Sequence, residues 1–537
     1  MWRVKSLDAI LATAERKSLH RSLGPVQLTL LGVGAIIGTG IFVLTAAAAQ
    51  KAGPGMMWSF VIAGAVCAVA ALCYSELASM APVSGSAYTY TYAVMGELLA
   101  WMVGWALILE YAVAASAVSV GWSGYVMGQI ENALGFDWPD LLQAGPAWSM
   151  NGWMPSPDFS VGIVNIPAII VALGVTLLLM IGTTESARVN AALVAIKVAA
   201  LTAFVVLTLP ILNVAEFSPF APNGLFGPAG TSGMGIVGAA ASIFFAYVGF
   251  DAVSTAAEET KNPQRNVPIG LIGSLAICTV FYLLVAAGAV GAIGAQPVVG
   301  AAGEAVQPGS PAFIAACQMA ENANQLVCSN EALAHVLRVI GHEAVGNMVG
   351  TAAVLALPSV ILMMIFGQTR IFFVMARDGL LPEGLAKVHP KWKTPYIVTA
   401  FTGIAVAIAG ALFPVGQLAD ISNSGTLFAF FMVAIAVMML RLKEPNRHRP
   451  FRTPLVWIIA PLSAAGCAFL FWNLPHDAKM VLPIWGGIGL VVYLLYGFRK
   501  SHVGRGLVEV HETDSDAPSG PVPPMPGAPS PTDRKED

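Results

Sequence analysis

Residues 31–42 read LGVGAIIGTGIF, and residues 244–251 read FFAYVGFD. Both stretches lie inside long apolar runs, yet the first holds glycines at 32, 34, 38 and 40, and the second follows glycines at 233, 235 and 238. Each glycine weakens a helix by about 1 kcal/mol relative to alanine. We therefore predict that two membrane helices break here, where the freed N–H and C=O groups need polar partners. Close packing of helices through small residues is the alternative interpretation.

The composition of the 537-residue chain indicates a membrane protein. Hydrophobic residues make up 56% of it, charged residues 11%, and the mean hydropathy is +0.73. Soluble domains carry roughly 25% charged residues, so a soluble enzyme and a nucleic-acid-binding protein are excluded. All eight histidines lie outside the apolar runs. This argues against a haem or zinc centre in the membrane, and we predict no metal, no cofactor and no nucleic-acid partner.

Twelve apolar runs are long enough to cross a bilayer, which takes about 20 residues each. They are 26–50, 56–80, 96–128, 161–181, 186–210, 231–257, 267–292, 345–376, 395–413, 417–440, 455–473 and 480–498. The interrupted runs are the first and the sixth, which are related by five. This predicts an all-α membrane fold of two inverted five-helix repeats, about 26–210 and 231–440, with two extra helices in about 455–498. Such half-helices can hold the carboxylate and the ammonium group of an amino acid.

Basic residues are distributed unevenly between the two sides of these runs. With a cytoplasmic N-terminus, 23 of the 27 basic residues lie in cytoplasmic segments. Lys51, Arg338 and Lys479 lie outside, and Lys197 lies within a run. The positive-inside rule therefore predicts an inner-membrane protein with both termini in the cytoplasm.

Three segments flank or interrupt the predicted membrane domain, 26–498. Residues 1–25 form a cytoplasmic amphipathic segment, and residues 501–537 form a Pro- and acid-rich tail that we predict to be disordered. Residues 293–344 form an extended periplasmic loop. Its Cys317 and Cys328 either pair in a disulfide or stay as two free thiols.

Four long motifs carry a resemblance to a known family. They are GAIIGTGIFVLTAAAA followed by AGPG, CYSELASMAPVSGSAYTYTYAVMGE, FFAYVGFDAVSTAAEETKNPQRNVPIG and GQTRIFFVMARDGLLP. Together they resemble the bacterial members of the cationic amino acid transporter family, part of the amino acid–polyamine–organocation superfamily, over about residues 20–500. The resemblance implies the same five-plus-five inverted-repeat fold and a small-molecule amino acid substrate. A small membrane subunit as a partner and the oligomeric state stay open.

The resemblance also implies where the substrate binds. Its carboxylate would meet backbone amides of the first broken helix, and its amine would meet carbonyls of the sixth. The amides belong to Ile37, Gly38, Thr39 and Gly40, and the carbonyls to Phe245, Ala246 and Tyr247. The ring of Phe245 would act as an outer gate over the bound substrate.

Lys197 is the one basic residue deep inside an apolar run. It lies about eleven residues into the fifth run, which is roughly 16 Å at 1.5 Å per residue and close to the bilayer midplane. An ionisable group at that depth is a functional hypothesis by default and suits a proton carrier. The resemblance implies that its ammonium lies behind the broken first helix, where sodium-coupled members of the fold keep a cation. A static lysine that only stabilises the structure is the alternative.

Three further residues bear on selectivity. Glu110 lies in the middle of the third run, where it would either contact the side chain of the substrate or brace neighbouring helices. Pro358 and Ser359 stand in the eighth run where relatives usually have two threonines. Because proline removes a backbone donor, the shape of the pocket departs there from the pattern of the family.

These observations predict a secondary transporter that takes up amino acids with protons by alternating access. It is not an enzyme, since no step makes or breaks a covalent bond. An amino acid exchanger and a polyamine carrier are the alternatives within this class, and a non-transporting amino acid sensor is the alternative outside it. The choice between cationic and small neutral substrates stays open.

Overall fold

A computed structural model describes the chain over residues 4, 23–81, 86–135, 138–151, 154–159, 162–182, 187–255, 257, 260–322, 324–392 and 394–505. The predicted N-terminal segment 1–25 and tail 501–537 lie almost entirely outside the described residues.

Helices account for most of the described chain. Their bounds, in chain order, are α1 Pro25–Ile36, α2 Thr39–Phe42, α3 Leu44–Ala52, α4 Met56–Met80, α5 Ser86–Val94, α6 Glu97–Leu134, α7 Ile166–Ile181, α8 Ala187–Thr208, α9 Gly235–Ile243, α10 Ala252–Thr255, α11 Pro263–Ile293, α12 Pro311–Cys317, α13 Ala332–Val339, α14 Glu343–Arg377, α15 Tyr396–Leu412, α16 Val415–Lys443, α17 Val456–Trp472, α18 His476–Val492 and α19 Phe498–Lys500. One antiparallel hairpin pairs β1 (Ala147–Asn151) with β2 (Met154–Asp158), with Ser149 opposite Ser156.

Seven helical stretches in the described chain are long and apolar enough to cross a membrane. They are Leu44–Met80, Glu97–Asn132, Ala191–Ile211, Pro263–Ile293, Glu343–Arg377, Val415–Lys443 and His476–Lys500. Five shorter apolar helices accompany them: Pro25–Ile36, Ile166–Ile181, Gly235–Tyr247, Tyr396–Leu412 and Val456–Trp472. The protein is therefore a predominantly helical, multi-pass membrane protein, and each predicted apolar run overlaps at least one of these stretches.

The two longest helices, α6 and α14, pack along each other, and α6 also packs along α16. Helix α14 continues through Pro358, which has no N–H to donate to Val354 O one turn earlier. The indole Nε1 of Trp122 on α6 donates to Val354 O instead, at 2.9 Å. A side chain from the neighbouring helix thus supplies the hydrogen bond that the proline removes.

One end of the helix bundle, the loop face, carries the connections 135–165 and 293–342. In the second connection a disulfide joins Cys317 to Cys328, and Arg338 pairs with Glu331. His335 lies between the members of that pair, on α13, and burial lowers the pKa of its imidazole. The connection is therefore a packed structure with its own helices, rather than a simple open loop.

Candidate functional site

The first predicted break is present in the first broken helix. Helix α1 ends with a hydrogen bond from Ile37 N to Val33 O at 2.9 Å, and the chain is extended at Ile37 with φ −71° and ψ 96°. Main-chain bonding resumes when Ile41 N donates to Gly38 O at 3.3 Å. Among the described residues, the intervening amides of Gly38, Thr39 and Gly40 have no main-chain acceptor. Three N–H donors are thus available at the break.

The second break follows α9. A 3-10 turn over Phe244–Tyr247 leads into extended backbone at Val248 and then to Gly249 with φ +109°. A Cβ at Gly249 would also lie 3.0 Å from Ala35 O. Positive φ and close approach to α1 both require glycine here, so this residue sets how near the two broken helices come.

The two breaks are in direct contact. A Cβ at Gly40 would lie 2.3 Å from the Cα of Ala246, so only glycine fits between the two backbones. The hydroxyl of Tyr282 on α11 lies 2.9 Å from Ile36 O and 2.8 Å from Ala246 O. Because both oxygens are acceptors, they share a single phenolic proton. Tyr282 therefore ties the two breaks together, a role that the sequence did not reveal.

The structure places Lys197 against the first break. Its Nζ donates to Gly34 O at 2.8 Å and to Ser359 Oγ at 3.3 Å, and the residue is 1% exposed. Ser359 in turn donates to Ala356 O at 2.7 Å. The interrupted helix leaves Gly34 O without its usual donor four residues later, so the lysine satisfies an acceptor that the break creates. It joins α8, α1 and α14 at one point.

The structure separates the three residues predicted for selectivity. Ser359 accepts a hydrogen bond from Lys197, whereas Pro358 is the residue whose missing N–H leaves Val354 O to Trp122. Glu110 is fully buried on α6, and neither of its carboxylate oxygens hydrogen-bonds to the described residues. Its neighbour Tyr111 donates to Asp251 Oδ2, next to the second break, at 2.9 Å.

A second buried cluster was not singled out by sequence reasoning. Lys51 Nζ pairs with Asp420 Oδ2 at 3.0 Å, and Ser242 hydrogen-bonds to both side chains. The three residues are 4%, 5% and 8% exposed. Lys51 was predicted to lie in an outside segment because the first apolar run was ended at residue 50. An acid at position 420, inside the run 417–440, was the signal that could have revealed the pair.

The predicted substrate residues are all buried around the two breaks. Two of the three predicted carbonyls already accept hydrogen bonds: Phe245 O from Val248 N and Ala246 O from Tyr282. Each carbonyl oxygen has a second lone pair, so this arrangement leaves capacity for an ammonium donor. Among the described residues, no group of three or more His, Cys, Asp and Glu is placed to hold a metal ion.

Residues 23–495 of the chain match one family model, described as Amino acid permease. This chain belongs to the amino acid permease family. It is similar to "Branched-chain amino acid permease BcaP" of Bacillus subtilis (strain 168), at 42% identity over 94% of this chain and 99% of the relative. The "Methylthioribose transporter" of the same organism is 38% identical over 94% and 99%.

A plant relative connects the permease to the family named from its motifs. "Cationic amino acid transporter 9, chloroplastic" of Arabidopsis thaliana is 35% identical over 90% of this chain and 79% of the relative. The resemblance inferred from the motifs is confirmed. The permease is a transporter and not an enzyme.

Proposed function

We propose that this permease takes up amino acids together with protons across the plasma membrane by alternating access. Twelve spans in two inverted five-helix repeats, with two extra helices and both termini in the cytoplasm, would support this cycle. The observation that carries the proposal is the bond from Lys197 Nζ to Gly34 O at 2.8 Å. It links an ionisable group directly to the helix break that would bind substrate.

The two breaks offer complementary groups to an amino acid. The free amides at Gly38, Thr39 and Gly40 suit a carboxylate, because N–H donors at the start of a helical segment carry partial positive charge. The carbonyls of Phe245, Ala246 and Tyr247 suit an ammonium group. Binding of both ends would hold the breaks at one separation, since the backbones already touch at Gly40 and Ala246.

Proton loss from Lys197 would loosen the same break. Hydrogen bonds from an ammonium are roughly twice as strong as those between neutral groups. A neutral lysine would therefore hold Gly34 O and Ser359 Oγ less firmly. The inner half of the first broken helix could then move away from α8 and α14. Protonation would favour the outward-open state, and release of the proton to the cytoplasm would complete the cycle.

The relatives narrow the substrate to be tested first. The 42% identical relative is named for branched-chain amino acids, and we propose a neutral amino acid of this class. Methylthioribose is a rival because the second relative is named for it. That sugar has neither an α-amino nor a carboxylate group, so it would leave the amides and carbonyls of both breaks without their charged partners.

Uptake into proteoliposomes tests the proposal. Leucine, alanine, arginine, putrescine and methylthioribose are compared with and without an inward proton gradient, for the wild type, Lys197→Ala and the exposed control Lys391→Ala. We expect the proton gradient to drive uptake of leucine by the wild type. Lys197→Ala should abolish this uptake but still bind leucine, and Lys391→Ala should leave the uptake unchanged.

Other outcomes would replace the proposal. Flux that ignores the gradient and requires internal amino acid would show an exchanger, and binding without flux would show a sensor. Preferential uptake of putrescine would show a polyamine carrier.

A further inference from the structure

A cavity of about 730 Å³ lies between the α17–α18 hairpin and the two long helices α6 and α16. Its wall includes Met102 and Trp105 from α6, Phe428 from α16, Trp472 from α17 and Lys479 from α18. We name the space between these five residues the hairpin cavity. No residue of the two helix breaks lines it, so the hairpin cavity is separate from the substrate site.

Two tryptophans make the inner wall of the hairpin cavity apolar. Trp105 Nε1 donates to Trp485 O at 2.8 Å, and Trp485 Nε1 donates to Trp105 O at 2.7 Å. The two rings stack with their centroids 4.8 Å apart. Because both N–H groups already have acceptors, a hydrocarbon chain can lie against the rings without leaving a buried polar group unsatisfied.

The polar side chains that line the hairpin cavity lie at one end of it. His476 and Lys479 occupy the first turn of α18, and the lining of this helix continues to Leu490. Leu490 follows His476 by fourteen residues, or roughly 21 Å of helix at 1.5 Å per residue. One leaflet provides about 15 Å of a hydrocarbon core about 30 Å thick. The cavity is therefore long enough for an acyl chain of one leaflet and its headgroup.

The polar end of the cavity lies at the loop face. His476 N donates to Ser232 Oγ at 3.0 Å, and Gln307 of the second loop-face connection donates to Ser232 O at 2.7 Å. Met480 and Leu490, which line the cavity further along α18, are exposed. The cavity is therefore open to the hydrocarbon around the helix bundle, and its polar end is at the level of the headgroups.

Lys479 brings a positive charge to the polar end. Three basic residues were predicted to lie outside, and two of them have acidic partners: Lys51 pairs with Asp420, and Arg338 pairs with Glu331. Among the described residues, Lys479 has no carboxylate within ion-pair distance, and its Nζ donates to a carbonyl oxygen at the end of α17 at 3.0 Å. An ammonium group has three donors, so two of them remain for an anionic ligand.

We propose that the hairpin cavity binds one anionic phospholipid from the leaflet on the loop-face side. The lipid phosphate accepts hydrogen bonds from Lys479, and one acyl chain lies along α18 against the stacked rings of Trp105 and Trp485. A zwitterionic headgroup has no net charge, so Lys479 attracts it less strongly. The bound lipid would hold the α17–α18 hairpin against α6 and α16. This inference does not depend on the proposed function.

Ordinary anchoring at the membrane interface is the alternative role for Lys479. Its Nζ lies 5.9 Å from the centroid of the Trp472 ring, and both residue types serve as anchors at this depth. An anchor contacts the exchanging lipids around the protein and needs no cavity. Filling the hairpin cavity would therefore remove a site-bound lipid and leave an anchor unaffected.

Two substitutions test the two ends of the lipid separately. Lys479→Gln removes the charge at the polar end. Gly487→Leu fills the apolar part, because Gly487 lines the cavity and a Cβ there would have nothing within 4 Å. Gly174→Leu is the matched control, since a Cβ at Gly174 on α7 would also have nothing within 4 Å and this residue does not line the cavity. Both glycines lie within helices, where leucine is the better helix former, so both variants should fold.

Native mass spectrometry of the delipidated full-length protein measures the binding of phosphatidylglycerol and of phosphatidylcholine with the same acyl chains. We expect the wild type to bind one phosphatidylglycerol with about fivefold preference, the effect of one basic residue on an anionic lipid. Lys479→Gln should bind both lipids equally, and Lys479→Arg should restore the preference. Gly487→Leu should lose the bound lipid of either kind, whereas Gly174→Leu should keep it. Thermal unfolding without lipid checks that each variant is folded.

Four results would overturn the proposed lipid site. The wild type would show no preference between the two lipids, or the folded Gly487→Leu variant would still bind phosphatidylglycerol as the wild type does. Equal loss of lipid in Gly487→Leu and Gly174→Leu would show loosely held surface lipid. Competition by soluble glycerol phosphate would show a site for a free phosphate, and lipid-free dimers would show that a second copy of the chain fills the cavity.

Discussion

The hydrogen bond from Trp122 to Val354 O gives the sharpest quantitative prediction about the central helices. Trp122→Phe removes the indole N–H but keeps an aromatic ring on α6. Because Pro358 cannot donate, Val354 O would lose its donor. In a Pro358→Ala background the backbone N–H of residue 358 can bond to Val354 O, and the same tryptophan substitution should cost less.

The difference between these two costs isolates the hydrogen bond. Interhelical hydrogen bonds in membrane proteins average about 0.6 kcal/mol, and intramolecular hydrogen bonds reach about 1.5 kcal/mol. We therefore expect Trp122→Phe to lower the free energy of unfolding by about 0.6–1.5 kcal/mol more in the wild type than in the Pro358→Ala background. Loss of ring packing affects both backgrounds and cancels from the difference.

Reversible unfolding of the four proteins in mixed micelles measures this coupling. Trp148→Phe is the matched control, because its indole donates to Leu412 O, outside α14, at 2.7 Å. Trp148→Phe should lower the free energy of unfolding by the same amount in the wild type and in the Pro358→Ala background. Independent sites add to within about 0.3–0.5 kcal/mol. A coupling of Trp122 with Pro358 below that range would refute the role assigned to the indole.

Three further predictions concern other parts of the permease. Gly40→Ala should abolish substrate binding in a folded protein, because the new methyl group would lie 2.3 Å from the Cα of Ala246. Gly174→Ala is the control, since its new methyl group would have nothing within 4 Å. Equal substrate binding by both variants would contradict the contact between the breaks. Glu76→Gln should lower the free energy of unfolding by about 3–5 kcal/mol, because it leaves the partly buried Arg441 and the buried Arg449 without their carboxylate. A decrease below about 1 kcal/mol, measured by calorimetry, would show that these ion pairs do not stabilise the protein. Burial lowers the pKa of His335, so as the pH falls below about 6.5 the unfolded loop takes up a proton that the folded loop resists. Proteolysis at the loop should therefore increase on acidification in the wild type and not in His335→Gln; equal pH dependence in both would exclude this histidine.

Local signals in the sequence sufficed for the helix breaks and for Lys197. Clustered glycines and a lone lysine are exceptional inside apolar runs, and the chemistry of the bilayer gives each a physical meaning without knowledge of any neighbour. The predicted break in 31–42 agrees with the end of α1 at Ile36 and the extended backbone at Ile37. The helices and their breaks were predictable because hydrophobicity and glycine content determine backbone structure within a few helical turns.

The partners of these residues could not be predicted in the same way. Tyr282 reaches Ile36 O across 246 positions, and Trp122 reaches Val354 O across 232. Such pairs depend on which faces of distant helices meet, and the sequence of one helix does not contain that information. The Lys51–Asp420 pair was missed for a second reason: α3 continues to Ala52, two residues past the predicted end, and this extension buries the lysine.

The two buried lysines hold opposite halves of the first broken helix, and this arrangement makes alternation itself testable. Lys197 contacts the half before the break at Gly34 O, and Lys51 lies at the end of the half after the break, paired with Asp420. In the proposed cycle a protonated Lys197 favours the outward-open state, so Lys197→Ala should shift the permease inward. Asp420→Asn leaves the buried Lys51 without its carboxylate, which favours separation of the half after the break from α16, so it should shift the permease outward.

If both substitutions act on one equilibrium between two states, their free energies should add with opposite signs. A thiol at the first break, introduced as Thr39→Cys, can be labelled from outside with a membrane-impermeant methanethiosulfonate. Its labelling should then be fast in Asp420→Asn and should fall back toward the parent rate in Asp420→Asn with Lys197→Ala. Two gates that open independently give another result, because removal of Lys197 would leave the fast labelling of Asp420→Asn unchanged. A broken helix couples the two sides of the membrane only if its two halves cannot be released from their buried contacts at the same time. The double variant Asp420→Asn with Lys197→Ala tests whether this condition holds.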